Sequence, residues 1–175
     1  MRYILIIFFI FLFSLTVISC SKKDDSSSSS SAAGTYQLAT NDYANGVATD
    51  SSGNVYVTGG TKGGLDGNTS AGNTDLFVVK YNSSGTKQWT KQLGSSGLDS
   101  ANGITIDSSG NVYVTGVTFG GLDWNTSAGA NDLFVVKYNS NGTKEWTKQL
   151  GSASSDYANG VATDSSGNVY VAGVT

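Results

Sequence analysis

The chain has 175 residues, with 13 acidic side chains against 10 basic ones and a formal net charge of −3. A protein that neutralises nucleic-acid phosphates carries the opposite excess, so no nucleic acid is expected as a partner. There is no histidine, which removes the usual general base and the commonest metal ligand, and a lone cysteine rules out an internal disulfide. Glu145 is the only glutamate, and Gln88 holds its place one repeat earlier, so nothing repeated depends on it. Serine and threonine are abundant but fall in turns and low-complexity stretches, and no base is expected beside them. The expectation is a non-enzyme with no catalytic residue, no cofactor and no resident metal.

The first segment reads as an address. Met1-Arg2-Tyr3 is a short basic start, and 4–18 is apolar except for Ser14 and Thr16. That run falls short of the roughly 20 residues a spanning helix needs and fits a secretory signal better. Val17-Ile18-Ser19-Cys20 resembles a bacterial lipobox, with Val17 where leucine is usual. The resemblance implies a signal peptide over 1–19, lipid on Cys20, and a membrane held through that lipid as a partner. The plainer alternative is an ordinary signal or anchor that happens to contain a cysteine. Residues 20–34 hold Lys22-Lys23-Asp24-Asp25 and six serines from Ser26 to Ser31, with nothing to bury, and read as a tether. As a flexible coil it spans roughly 20 Å. Ser21 after the cysteine, and the charged run, resemble signals that route lipoproteins to an outer membrane or cell surface.

Residues 35–175 repeat. Asp42-Tyr43-Ala44-Asn45-Gly46 returns at Asp99 and again at Asp156, a period of 57 residues, and 43 of 57 positions agree between the first two copies. The copies are 42–98, 99–155 and 156–175, the last incomplete. In the first, 46–49 and 54–58 are β-prone runs around Asp50-Ser51-Ser52-Gly53, a hairpin pattern. A Gly/Asn/Thr/Ser-rich loop is predicted over 59–74. Asp75 to Tyr81 is the most apolar strand, and Asn82-Ser83-Ser84-Gly85 turns into a polar fourth strand over 86–93 carrying Lys87 and Lys91. The unalternating Leu76–Val79 run suits a strand covered on both faces, and the lysines suit an outer edge. Gly46 and Ala48 suit a first strand near a narrow axis. Each copy must be one unit that buries its faces against its neighbours. The expected fold is all-β: a β-propeller of four-stranded antiparallel blades, in an incomplete ring of about two and a half blades.

Gly46 to Gly59 followed by Asp75 to Asn82 resembles the bacterial SBBP β-propeller repeat, and Gly103–Gly116, Asp132–Asn139 and Gly160–Gly173 continue it. The first hairpin is also similar to NHL repeats, and Trp89 with its surroundings to quinoprotein-type repeats. The SBBP resemblance implies a seven-bladed architecture and a secreted or surface location more than a reaction. Two complete blades, a lone strand near Tyr36-Gln37-Leu38 and half a blade make no closed ring. The chain is therefore expected to be a piece of a longer propeller; the alternative is self-association of several chains to complete one.

Two sets of residues carry chemistry. Asp50, Asp107 and Asp164 open the hairpin turns, Asp66 and Asp123 lie in the long loops, and Asp75 and Asp132 precede the third strands. An Asp-Ser-Ser-Gly-Asn turn offers oxygens to calcium, but it has one carboxylate where calcium wants several, so a structural turn is expected. In the long loop, Lys62 and Gly67 of the first copy become Phe119 and Trp124 of the second. Trp124 beside Asp123 and Phe119 could form a rim contact for a protein or carbohydrate ligand. The ordinary reading packs Trp124 down onto its own blade; Tyr43 and Tyr157, with Ser100 in the middle copy, share that ambiguity. The functional expectation is a lipid-anchored extracytoplasmic scaffold for binding or adhesion. The alternatives are a membrane-proximal part of a larger propeller enzyme or cofactor protein, with its active residues in other blades, and a spacer that binds nothing.

Overall fold

The computed structural model describes residues 42–175. The signal peptide, Cys20, the tether and the strand expected at 36–38 lie outside the described residues. Strands β1 (Tyr43–Thr49), β2 (Val55–Thr61), β3 (Asp75–Tyr81) and β4 (Lys87–Leu93) form one antiparallel sheet in that order. A second blade repeats it with β5 (Asp99–Ile106), β6 (Val112–Thr118), β7 (Asp132–Tyr138) and β8 (Lys144–Leu150), and β9 (Tyr157–Thr163) pairs with β10 (Val169–Val174). The sheets are not closed into a ring.

Each hairpin forms where its sequence demands. Asp50 to Gly53 closes with Gly53 N donating to the Asp50 carbonyl at 3.0 Å, and Gly53 sits at φ 76°, a value that favours a residue without a Cβ. The same turn recurs at Gly110 and Gly167. Two boundaries differ from expectation. β1 starts at Tyr43 rather than 46, with a register shift between Ala44 and Gly46 that accommodates an extra residue. β2 runs on through Gly59 and Gly60, so the loop covers 62–74 rather than 59–74. The glycines remain in the strand because β1 passes too close for side chains: a Cβ on Gly59 would overlap the Tyr43 carbonyl oxygen, and one on Gly60 would meet the Tyr43 ring.

The core lies between blades. Tyr56, Leu76 and Val78 of the first blade pack with Ala101, Val112, Val114, Phe134 and Val136 of the second. β5 lies against β1, β2 and β3, and β9 against β5, β6 and β7. The apolar run of β3 is buried throughout, as a strand covered on both faces requires. Burying Phe134 alone contributes about 2–3 kcal/mol. Outside it, Lys80 stands 5.2 Å over the Tyr56 ring, whose other neighbour is Trp89, edge-on at 6.0 Å between centroids.

Candidate functional site

The antiparallel order puts the short hairpins at one end of each blade and the long β2–β3 and β6–β7 loops at the other. At the hairpin end the carboxylates belong to their own turns. Asp50 accepts from Ser52 N (2.9 Å), Asn54 N (3.0 Å), Asn54 Nδ2 (2.7 Å) and the Tyr56 hydroxyl (3.0 Å). Asp107 and Asp164 repeat the arrangement with Asn111 and Tyr113, and with Asn168 and Tyr170. Burial pushes the Asp50 and Asp107 carboxyls up, but the combined hydrogen bonds outweigh it and hold both below the usual carboxylate range. These are the structural turns expected.

At the other end each long loop is stapled to its fourth strand by one glutamine. Gln149 Oε1 accepts from Leu122 N at 2.9 Å, while Nε2 donates to the Gly120 carbonyl (3.0 Å) and to Asp132 (2.6 Å). Gln92 does the same for Leu65, Gly63 and Asp75. Leu122 is driven fully into the core, and Asn125 Nδ2 closes the turn on the Leu122 carbonyl at 2.8 Å. Between these fixed points the chain makes two left-handed residues: Asp66 and Gly67 (φ 51° and 80°) in the first blade, Asp123 and Trp124 (φ 52° and 68°) in the second.

Trp124 therefore occupies a position built for glycine, and it does not pack onto its own blade. It is 99% exposed, which corrects the ordinary reading. The buried Leu122 anchor and the left-handed turn point its side chain away from the sheet. A bulky residue in this backbone region costs about 1–2 kcal/mol, here imposed by the loop's staples. Phe119, nearer the start of the same loop, is 47% exposed. Asp123 faces inward: it is ion-paired with Lys144, as Asp66 is with Lys87 at 2.5 Å. Burial raises the Asp123 carboxyl, but the Lys144 ammonium and the Thr147 hydroxyl together outweigh that, and the group lies below its ordinary value. Of the three expected rim residues, two are presented to solvent and the third holds the turn. Tyr43 is exposed, whereas Tyr157 is half-buried and accepts from Asn131 Nδ2 at 2.7 Å.

The structure also corrects the reading that no base lies beside a hydroxyl. Asp99, fully buried, accepts from Ser95 N (2.6 Å), Ser95 Oγ (2.9 Å) and the Thr118 hydroxyl. Asp156 holds Ser152 N at 2.7 Å and Ser152 Oγ at 3.1 Å in the same way. Burial pushes the Asp99 carboxyl above its ordinary value, with the Asp75 charge adding to the rise against the hydrogen bonds that oppose it. Both hydroxyls donate to the carboxylate, which makes it the cap of the β4–β5 connection. Asp99 N then donates to the Thr74 carbonyl at 2.7 Å, so the cap also joins one blade to the next. The signal for it was present as Asp at 99 and 156 with Ser four residues before each.

A profile of a beta-propeller repeat, SBBP, matches residues 37–66, 88–123 and 145–175. The chain belongs to the SBBP beta-propeller repeat family. Those SBBP segments hold the turns opened by Asp50, Asp107 and Asp164 and the loop-stapling Gln92 and Gln149, and the second of them ends at Asp123, one residue before Trp124. Among curated proteins, the chain is 29% identical over 139 residues to the regulatory protein FlaEY of Caulobacter vibrioides, covering 71% of this chain and 15% of that protein. It is 28% identical over 128 residues to an uncharacterized WD repeat-containing protein of Acanthamoeba polyphaga mimivirus, covering 63% of this chain and 9% of that one. The chain thus spans a small part of either relative's length.

Proposed function

We propose that this SBBP protein is a non-enzymatic binding scaffold, lipid-anchored outside the cytoplasm through Cys20 and displayed at an outer membrane or cell surface, with Trp124 as its principal ligand contact. The observation that carries the reading is a fully exposed indole in a left-handed turn where the preceding repeat has glycine. An aromatic residue kept there against both solvation and backbone preference is the type of group that stacks on a sugar face or anchors a protein contact. Phe119 widens the apolar surface. The relatives' names, a regulatory protein and a WD repeat-containing protein, support a scaffold over an enzyme. The lipobox-like Val17–Cys20 sequence and the serine tether support the anchor.

The test is a fluorescence titration of the full chain, in mild detergent, with soluble laminarin, xylan and mannan, beside adhesion of chain-coated beads to cells. Saturable quenching or adhesion that disappears in Trp124→Gly, with the fold intact by circular dichroism, supports the reading. Equal responses from both proteins, or none from either, refute Trp124 as the contact. Intact-mass analysis of the native protein tests the anchor separately, through acyl mass on a chain beginning at Cys20.

A further inference from the structure

A groove runs between the first two blades, walled by Lys91 and Leu93 of β4 on one side and by Tyr138, Thr143 and Lys144 around the β7–β8 turn on the other. Both walls belong to blades whose four strands are all present. Its volume is about 370 Å³, inside the range of roughly 300–1,000 Å³ that small-ligand sites occupy. The walls hold each other in place. Lys80 Nζ donates to the Ser140 carbonyl at 3.3 Å. The Lys91 stem and the Trp89 ring lie against Gly142, where a Cβ would come within 2.8 Å of Lys91 Cε and 2.9 Å of Trp89 Cδ2.

The charge in this groove is one-sided. No carboxylate is among its lining residues, and the Gln92 amide is committed to the long loop and Asp75 of its own blade. Lys144 is neutralised by Asp123, which meets it from the loop. Lys91, half-buried, has no ion pair or hydrogen bond among the described residues. The Tyr138 hydroxyl is buried with no hydrogen-bond partner, and burial, with the Asp123 charge adding to it, holds it protonated above its ordinary value. One uncompensated positive charge in a half-closed groove favours one anionic group.

The groove adjoins Trp124. The long loop lies along β8, with Leu122 N on Gln149 Oε1 and Asp123 on Lys144, so the indole begins one residue from the partner of a groove-lining ammonium. A protein anchor sits inside a ring of contacts that exclude water, whereas Trp124 is 99% exposed. A lone indole beside a narrow cationic groove suits a sugar ring that stacks on the one and places a charged group in the other.

We propose that the ligand of the Trp124 face is an acidic polysaccharide, one of whose hexuronate carboxylates enters the groove between the first two blades and pairs with Lys91. The inference rests on Trp124 as a ligand contact and adds the class of sugar and the residue that selects it. A neutral sugar leaves Lys91 unpaired, so the carboxylate sets the preference. The chain's net charge of −3 opposes unspecific attraction of polyanions, which makes the selection local.

Fluorescence anisotropy of an end-labelled galacturonate oligosaccharide, titrated with the full chain in mild detergent, tests this. The methyl-esterified oligosaccharide supplies the same rings without their charge. Lys91→Met removes the ammonium and keeps a stem to pack on Gly142, with the fold checked by circular dichroism. The wild type is expected to bind the acid at least about tenfold more tightly than the ester, as one charge-assisted pair allows. Lys91→Met is expected to bind both alike. No binding of the acid, equal affinity for acid and ester, or discrimination retained in Lys91→Met would overturn the proposal and leave Trp124 to its own test with neutral glycans. Acid binding that survives Trp124→Gly but not Lys91→Met would support the groove while refuting Trp124 as its neighbouring contact. Equal displacement of the oligosaccharide by poly-glutamate would mark an acidic-peptide site and overturn the proposal.

Discussion

Asp107 takes up its whole carboxylate within six residues of chain, one oxygen on Ser109 N and Asn111 N, the other on Asn111 Nδ2 and the Tyr113 hydroxyl. Asp107→Asn keeps the first oxygen but sets an amide nitrogen against the Asn111 amide, at a cost of about 1 kcal/mol. The folded pKa lies below the ordinary 3.8, so the carboxylate's contribution is complete above that value and is lost as pH falls through the folded one. Urea melts of wild type and variant should therefore differ fully at pH 7 and converge as pH drops below 3.8. A constant gap would show that charge plays no part. Asp99 runs the other way. Its folded pKa is raised, so its contribution is present at acid pH and is lost as pH rises through the raised value. Trp124 has its own signature: Trp124→Gly relieves the left-handed strain and should stabilise the chain by about 1 kcal/mol in the same melts. A loss of stability would mean the indole contributes packing that its exposure hides.

At the scale of elements, the hairpins and the apolar third strands were legible because their signals are local: Asp-Ser-Ser-Gly-Asn between β-branched runs, and Leu-Phe-Val-Val without alternation. What stayed hidden depended on distant contacts. Gly59-Gly60 reads as loop punctuation, yet both lie in β2, with the β1 backbone in contact with Gly59 and the Tyr43 ring in contact with Gly60. Trp124 reads as a packing residue, and only the staple from Gln149, in β8, and the burial of Leu122 fix it outward. The substitution of Gly67 by Trp124 in a matching loop was the one readable hint. Gly116, the second-blade counterpart of Gly59, tests this account. A Cβ there would overlap the Ser100 carbonyl oxygen, which is backbone and cannot turn aside. Gly116→Ala should cost about 3 kcal/mol, whereas Gly160→Ala, which meets nothing, should fall within about 0.5 kcal/mol of wild type. Thermal melts that move equally for both would refute the close-approach explanation.

Across the whole molecule, each blade is stabilised by its own sheet and by whichever neighbours cover its faces, so protection should follow position in the stack. The second blade is covered on both sides, by β1–β3 and by β9. The equivalent tyrosines mark the uncovered blade: Tyr56 and Tyr113 are buried in the first two, and Tyr170 is 58% exposed in the third. Hydrogen exchange at low protein concentration should find β6 and β7 slowest, β2 and β3 intermediate, and β10 fastest, because local opening follows the apolar contacts an element would lose. Asn102 Nδ2 clamps the third blade by donating to the Ala158 carbonyl at 3.0 Å, and Asn102→Ala removes that clamp without touching the first blade's own hydrogen bonds. It should therefore speed exchange in β9 and β10 severalfold and leave β1–β4 unchanged. If every strand exchanges at one rate, and Asn102→Ala accelerates all of them together, the blades unfold as a single cooperative unit. The asparagine clamp would then be a contributor to global stability rather than a joint between separable parts.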